Sequence, residues 1–282
     1  MTSSETALAT VLRSILTGED ETELFYAALE QVEEHQWPAL LALADHPSPA
    51  VRLALVSNLP FFTPGEPPAG VVLETAIRLT TDADARVRDH ACFVLGTQCR
   101  EVDTPELREV LALRLDDLDR DTRCEALLGL AFRGDQRALP RVRAALTRPT
   151  GDVWRMEMLA AGALGDPDLH PLVLRHLDGW DDEDKPSIEA GRRLTDPAGP
   201  GSDLFRGVAE FIRARAHHQP GGDLLTWWLL MIELLDLAPH REWDFHQAVR
   251  RRLTGDDQAL EELDLDFALT PVDEEGGATD TT

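Results

Sequence analysis

Lysine is almost missing from this chain of 282 residues, since Lys185 is the single lysine among 27 basic residues. It stands between Asp184 and Pro186, whereas a Walker phosphate-binding loop needs a lysine directly after a glycine. This acidic, proline-flanked setting also argues against a buried lysine that forms Schiff bases. The chain has no G-x-S-x-G and no G-x-G-x-x-G motif either. We therefore predict a protein that is not an enzyme, with no catalytic residue and no cofactor.

Cysteine is scarce, and the three present, Cys92, Cys99 and Cys124, show neither C-x-x-C nor zinc-ligand spacing. Reduced thiols in a reducing compartment are the simplest interpretation. Cys92 lies between core-facing positions and is expected to be a buried small apolar residue. His240 and His246 are close in sequence but do not share one helical face, so no metal is expected.

Long apolar runs are also absent, because the most apolar stretch, Leu224 to Leu237, is interrupted by Glu233 and Asp236. The first residues carry an early acid and no positive segment ahead of an apolar one, unlike a secretory signal. We therefore expect a cytoplasmic protein that does not associate with a membrane.

Acidic residues dominate the charge, and the net charge is −25. Ten acids and no lysine or arginine follow from Asp256 to the end, and the segment from Asp178 to Glu189 has six acids and one lysine. A surface of this sign repels phosphate backbones and anionic lipids. Direct binding to nucleic acid is therefore not expected.

Four segments of the chain align in one frame, with their second positions 36, 35 and 34 residues apart. The segments start with AVRLAL at Ala50, RVRDHA at Arg86, DTRCEA at Asp121 and RMEMLA at Arg155. Apolar residues within each recur at helical spacing, and a turn rich in Asp, Pro, Thr or Ser precedes each segment. Such turns supply caps for the helix that follows. A period in the thirties predicts an all-α fold, an α-solenoid of stacked antiparallel helix pairs with these segments as the second helices.

The layout resembles the bacterial HEAT-repeat family, in the short form also seen in phycobilin lyase subunits. The matching features are the Asp-containing turn, the Val-Arg or Thr-Arg pair at the start of the second helix, and a closing Leu-Gly as at Leu95-Gly96. In that family the arginine and the turn aspartate join successive repeats in a polar ladder, which implies a structural role for Arg52, Arg88 and Arg123. Glu157 departs from the pattern, and we expect the ladder to end there. The chain also lacks the His-Glu dyads that hold iron in HEAT-like hydroxylases.

Composition divides the rest of the chain around these repeats. The predicted segments are a helical N-terminal cap at 1–36, HEAT-like repeats at 37–177, an acidic loop at 178–203, a helical C-terminal cap at 204–269 and a disordered acidic tail at 270–282.

One neighbouring pair, Asp89 and His90, invites an acid/base interpretation. Adjacent helical residues point about 100° apart, and no nucleophile is placed to complete a triad. A solvated or partner-facing pair is the better interpretation.

The leading hypothesis is a monomeric, non-enzymatic scaffold or adaptor that binds a protein or peptide on the concave face of the solenoid. Its candidate contact residues project away from the core stripe of the second helices: Leu53, Ser57, Asp89, His90, Phe93, Glu125 and Leu128. Their mixture of acidic and apolar groups favours a partner with basic and apolar side chains. Two alternatives remain open, a lyase-like or chaperone-like binder of a small ligand and an acidic decoy of a nucleic-acid-binding protein.

Overall fold

The computed structural model describes residues 3–18, 23–62 and 70–267. These residues form helices joined by turns, with no β-strand among them, so the prediction of an all-α fold is confirmed. The chain divides into two compact units, Met1–Leu164 and Gly165–Thr282. None of the helices described is long and apolar enough to cross a bilayer.

The first unit contains ten α-helices within its described residues. They are α1 Ser3–Thr17, α2 Glu23–Leu29, α3 Trp37–Leu41, α4 Pro49–Asn58, α5 Gly70–Leu79, α6 Ala85–Phe93, α7 Pro105–Arg114, α8 Arg120–Phe132, α9 Ala138–Leu146 and α10 Arg155–Leu164. A π-helical turn, Val94–Gln98, extends α6.

The helices of this unit stack as the repeat period predicts. The second helices α4, α6, α8 and α10 pack against one another in chain order, and α5, α7 and α9 pack against α6, α8 and α10. The stack is therefore an α-solenoid built from helix pairs.

Short polar side chains start several of these helices, as the turn composition predicts. Asp84 accepts a hydrogen bond from the Arg86 amide at 3.0 Å, and Asp119 accepts one from the Thr122 amide at 2.9 Å. Thr104 caps α7, ahead of Pro105 in its first turn. Each cap satisfies an amide that the helix itself leaves unpaired, so the turns define where the helices begin.

The core between α6 and α8 depends on small residues. A side-chain carbon added to Gly129 would lie 2.5 Å from the Cα of Gly96 and 3.0 Å from a methyl of Leu111. The two backbones approach this closely only because both positions are glycine.

A polar ladder joins the first three helix pairs. Arg52 donates from Nε and Nη2 to the carboxylate of Asp82 at 2.6 and 2.7 Å, and Arg88 donates in the same way to Asp117 at 2.9 and 2.8 Å. The hydrogen bonds from Arg52 hold the pKa of Asp82 below its ordinary value, and Arg88 does the same for Asp117. Arg52 and Arg88 thus each join their own turn to the turn of the next helix pair.

A buried arginine closes the junction between the second and third pairs. Arg133 is 7% exposed, and its guanidinium donates hydrogen bonds to five backbone carbonyls, those of Leu95, Gly96, Cys99, Val102 and Gly129. Four of these belong to the π-helical turn and the loop after it, where helical pairing has ended. A single side chain therefore supplies hydrogen bonds to most of the carbonyls at this junction, and the carbonyl of Cys99 also accepts one from the Val102 amide.

The second unit contains six α-helices within its described residues. They are α11 His170–Val173, α12 Lys185–Thr195, α13 Ser202–Ala216, α14 Leu225–Leu237, α15 Glu242–Arg250 and α16 Asp257–Phe267. Aromatic contacts join them: Trp227 packs against Gly207, and Trp228 stacks on Phe211 at 6.0 Å between ring centroids.

Two predicted segments differ from the structure. The predicted acidic loop, 178–203, contains α12, because the acids before Lys185 precede the helix and Pro186 lies in its first turn, where no amide donor is required. Ile188 and Leu194 form a buried stripe on this helix. The acids and prolines of the segment had led to the prediction of a loop. The first compact unit ends at Leu164, before the predicted end of the repeats at 177. The predicted tail, 270–282, lies outside the described residues.

Candidate functional site

The candidate contact residues lie on three successive second helices, but they are not equally accessible. Leu53 and Ser57 on α4 and Asp89, His90 and Phe93 on α6 are partly exposed. The His90 and Phe93 rings lie 5.4 Å apart, one helical turn from each other. These five residues occupy the surface positions that the helical pattern predicts.

Glu125 and Leu128 on α8 are corrections to that prediction, because they are only 6% and 5% exposed. Helix α8 packs against α6, α7, α9, α10 and the π-helical turn, so it has almost no solvent-facing side. A helix surrounded in this way buries residues that its own amphipathic pattern would place outside.

The carboxylates of Asp89 and Glu125 form an acidic pair on neighbouring helices. Burial raises the pKa of Asp89 to about 6, and the charge of Asp121 adds to the shift. Burial also raises the pKa of Glu125 to about 7, and the charge of Asp89 raises it further. Both groups are therefore costly to ionise in this position.

One oxygen of Glu125 and the hydroxyl of Thr97 are buried without a well-aligned hydrogen bond among the described residues. Thr97 nevertheless lies close enough to Glu125 to act on its pKa, which a hydrogen bond from the hydroxyl lowers. A buried carboxylate that is satisfied this weakly can accept a stronger, charged donor. A cationic side chain placed beside Asp89 and Glu125 would supply both the donor and the opposite charge.

The cysteines of this unit show no sign of reactivity. Cys92 is fully buried, and desolvation raises the pKa of its thiol far above the ordinary value. Burial raises the pKa of Cys124 to about 11. A thiol is nucleophilic as the thiolate, so both side chains act as small apolar residues, as predicted for Cys92.

One of the two histidines considered as metal ligands, His246, has another partner. His246 is buried and its Nε2 lies 2.8 Å from Asp264, which Arg250 also contacts. Within the described ranges, no three histidine, cysteine or acidic side chains are grouped as a metal ion requires.

Sequence reasoning missed a cavity of about 240 Å³ in the first unit, between the third and fourth helix pairs. Four arginines, Arg120, Arg123, Arg141 and Arg148, contribute to its wall. They come from α8, α9 and the turn after α9, so no short motif contains them. The available signal was the turn before α10, TRPTGD, which has one acid, whereas the two preceding turns, TTDADA and DDLDRD, have two and four.

Known proteins match the repeat portion of the chain. Residues 73–161 match the family model described as HEAT repeats. Protein YibA of Escherichia coli, in strains K12 and O157:H7, is 32% identical over 108 residues, which is 38% of this chain and 37% of the relative. The match thus spans little more than a third of these curated relatives. The X-ray structure of E. coli YibA aligns with a TM-score of 0.47 and 22% identity, over 67% of this chain and 68% of that one.

The period of the repeats, the Asp-containing turns and the arginine ladder agree with this family match. Residues 73–161 therefore match the HEAT-repeat model, and the predicted resemblance is confirmed.

Proposed function

We propose that this protein is a non-enzymatic interaction scaffold that binds a peptide or protein segment on the face formed by α4 and α6, next to α8. The partly exposed carboxylate of Asp89 receives a basic side chain of the partner, and the buried Glu125 adds negative charge behind it. Leu53, Phe93 and His90 contact apolar groups beside Asp89. Ser57 lies at the rim of this face. Leu128 is buried and takes no part.

The observation that carries the proposal is the poorly satisfied carboxylate of Glu125 beside the carboxylate of Asp89, both with a raised pKa. A charge-assisted hydrogen bond from lysine or arginine is among the strongest polar contacts a protein makes. Binding would restore the ionised form of both acids and remove the cost of their burial.

The packing of the helices supports the choice of face. Successive second helices contact one another throughout the unit, whereas first helices pack chiefly against second helices. In a stack of pairs the more closely packed layer lies on the inner side of the curve, and solenoids use that concave side to bind extended segments.

The alternative of an acidic decoy has less support among the described residues. Asp82 and Asp117 are held by ladder arginines, and Asp264 is held by Arg250. A decoy needs dense carboxylates that are free to replace phosphates.

A random peptide display library tests the proposal. Peptides selected on the full-length chain are expected to share a lysine or arginine next to an apolar residue. The double variant Asp89→Asn, Glu125→Gln should bind them at least tenfold more weakly. The control variant Glu74→Gln, Glu106→Gln removes the same charge from exposed positions on first helices and should leave their affinity within twofold.

Two results would overturn the proposal. One is equal binding of the selected peptides to the acidic-pair variant and the parent chain. The other is a selection that enriches no peptide with a basic residue.

A further inference from the structure

Each complete rung of the polar ladder uses an arginine in two ways. Arg52 donates from Nη1 to the carbonyls of His46 and Pro47 in its own turn, and Arg88 donates to those of Asp82 and Ala83. The opposite edge of each guanidinium, Nε with Nη2, holds the aspartate of the next turn. This fork matches a carboxylate in geometry as well as in charge.

Arg123 forms only the first half of this arrangement. Its Nη1 donates to the carbonyls of Asp117 and Leu118 at 2.7 and 3.0 Å, so its guanidinium is fixed in place. Among the described residues, no carboxylate lies within ion-pair distance of it. Asp152 stands at the expected distance along the chain, but it is exposed and its carbonyl accepts from Arg148.

The cavity found above lies at this incomplete rung. Arg123, Arg120, Arg141 and Arg148 contribute to its wall, and Glu157 is the single acid there. Glu157 is already bound to Arg148 at 2.6 Å. A chain of net charge −25 thus places four arginines around one cavity with a single, already paired carboxylate.

The other arginines have partners that an incoming ligand can replace. Arg120 pairs with Asp121 and Arg141 with Asp116, in ion pairs open to solvent that contribute little to stability. Arg120 also lies over the ring of Trp154, 4.2 Å from its centroid, and this ring is 42% exposed. The ring offers an apolar surface beside the cationic wall.

We propose that this cavity binds a carboxylate carried by a second molecule, an acidic side chain or C-terminus of a peptide, which takes the place of the missing ladder aspartate on Arg123. We assign the ligand group as a carboxylate because the arginine at the same repeat position binds a carboxylate in each of the two preceding rungs. A volume of about 240 Å³ suits one or two side chains and is below the range of drug-sized ligands. Trp154 then contacts an apolar group next to the acid.

Calorimetric titration of the full-length chain with acetyl-Glu-Phe-Glu tests this site. Binding is expected for this peptide and not for its neutral analogue acetyl-Gln-Phe-Gln-amide. Arg123→Gln should weaken binding at least tenfold. Arg123→Lys keeps the charge but not the forked guanidinium, so its affinity should lie between those of Arg123→Gln and the parent chain. Arg86→Gln removes the same charge from an exposed position on α6 and should leave affinity within twofold.

Arg141→Gln keeps the test valid if Arg123→Gln does not fold, because Arg141 pairs only with the exposed Asp116 and should still weaken binding severalfold. A chain truncated after Phe267 identifies the source of the carboxylate. Tighter binding of the peptide to this chain would show that the acidic C-terminal residues supply the same chemistry, whereas unchanged affinity assigns the site to a second molecule.

Three results would overturn the proposal: equal binding of the acidic and neutral peptides, unchanged affinity in both Arg123→Gln and Arg141→Gln, and tighter binding of inorganic phosphate than of the peptide. The site is separate from Asp89 and Glu125. The double variant of that pair should bind the acidic peptide normally, so either proposal can fail alone.

Discussion

Two junctions of the same solenoid use the same arginine with different results. Between the second and third helix pairs, Arg88 holds Asp117, and Arg133 binds the carbonyls at the end of the π-helical turn. Between the third and fourth pairs, Arg123 has no such acid, and the ion pair there runs from Arg148 in the turn to Glu157 on the helix. An arginine that closes one junction is available for a ligand at the next, because the following turn lacks a carboxylate aimed at it.

Arg133→Met should have the largest effect, because it removes the donor to five carbonyls at the closed junction. Leaving buried carbonyls unpaired should lower the free energy of unfolding by about 4 kcal/mol. Urea denaturation, followed by circular dichroism, measures the free energy of unfolding of the variant and of the parent chain. Arg120→Met, the matched removal at the open junction, should cost about 0.5 kcal/mol or less. Similar losses for the two variants would remove the distinction between the junctions.

Gly129→Ala should have the next largest effect, because the added methyl overlaps the backbone of Gly96. We expect it to lower the free energy of unfolding by about 3 kcal/mol. Gly221→Ala in the second unit is the comparison, because a carbon added there would lie at an ordinary contact distance of 3.6 Å from the ring of Phe211. Thermal unfolding of both variants measures the difference. A stable Gly129→Ala chain would show that the closed junction adapts to an extra methyl.

Arg88→Ala and Arg123→Ala compare the two ladder arginines directly. Losing Arg88 leaves the almost buried Asp117 with Arg114, 3.3 Å away, as its remaining cationic partner, at a cost of about 2 kcal/mol. Losing Arg123 removes only bonds to carbonyls and should cost about 1 kcal/mol. Chemical denaturation at neutral pH gives both values, and an equal cost would mean that Arg123 has a carboxylate partner after all.

The pH dependence of the Arg88 variant sharpens this result. Asp117 has a lowered pKa in the folded chain, so its contribution is present above the unfolded pKa of about 4 and is lost as the pH falls through the folded value. Arg88→Ala should therefore lose less stability on acidification than the parent chain does.

Glu125→Gln should change stability in the opposite direction, and only at neutral to alkaline pH. The folded pKa of about 7 exceeds the unfolded value of about 4.5, so the native chain binds the extra proton, and stability falls as the pH rises between these values. At about 1.4 kcal/mol per pKa unit, the variant should be more stable than the parent by about 3 kcal/mol at pH 8 and nearly equal to it near pH 4.5. Glu74→Gln, at an exposed position, should show no such crossover in thermal unfolding.

Local signals predicted the positions of the helices and the ladder arginines well. Asp84 and Asp119 cap α6 and α8 because a short acceptor before an apolar helix satisfies the first amides whatever the rest of the fold is. Local signals failed at Glu125 and Leu128, because the rotation of α8 matters little when neighbours surround it on most sides. They also failed at α12, because its proline and the acids around it led to the prediction of a loop where the structure has a helix with a buried stripe.

By itself, the sequence determined that the chain is helical, that its repeats recur about every 35 residues, and that Arg52, Arg88 and Arg123 share one position in the repeat. These properties depend on spacing and on caps, which act within one helix or one turn. Only the tertiary structure decided which arginine meets an acid and which lines a cavity. Four arginines from separate segments come together there because the packing of α8, α9 and α10 places them side by side, and that packing depends on contacts between distant residues.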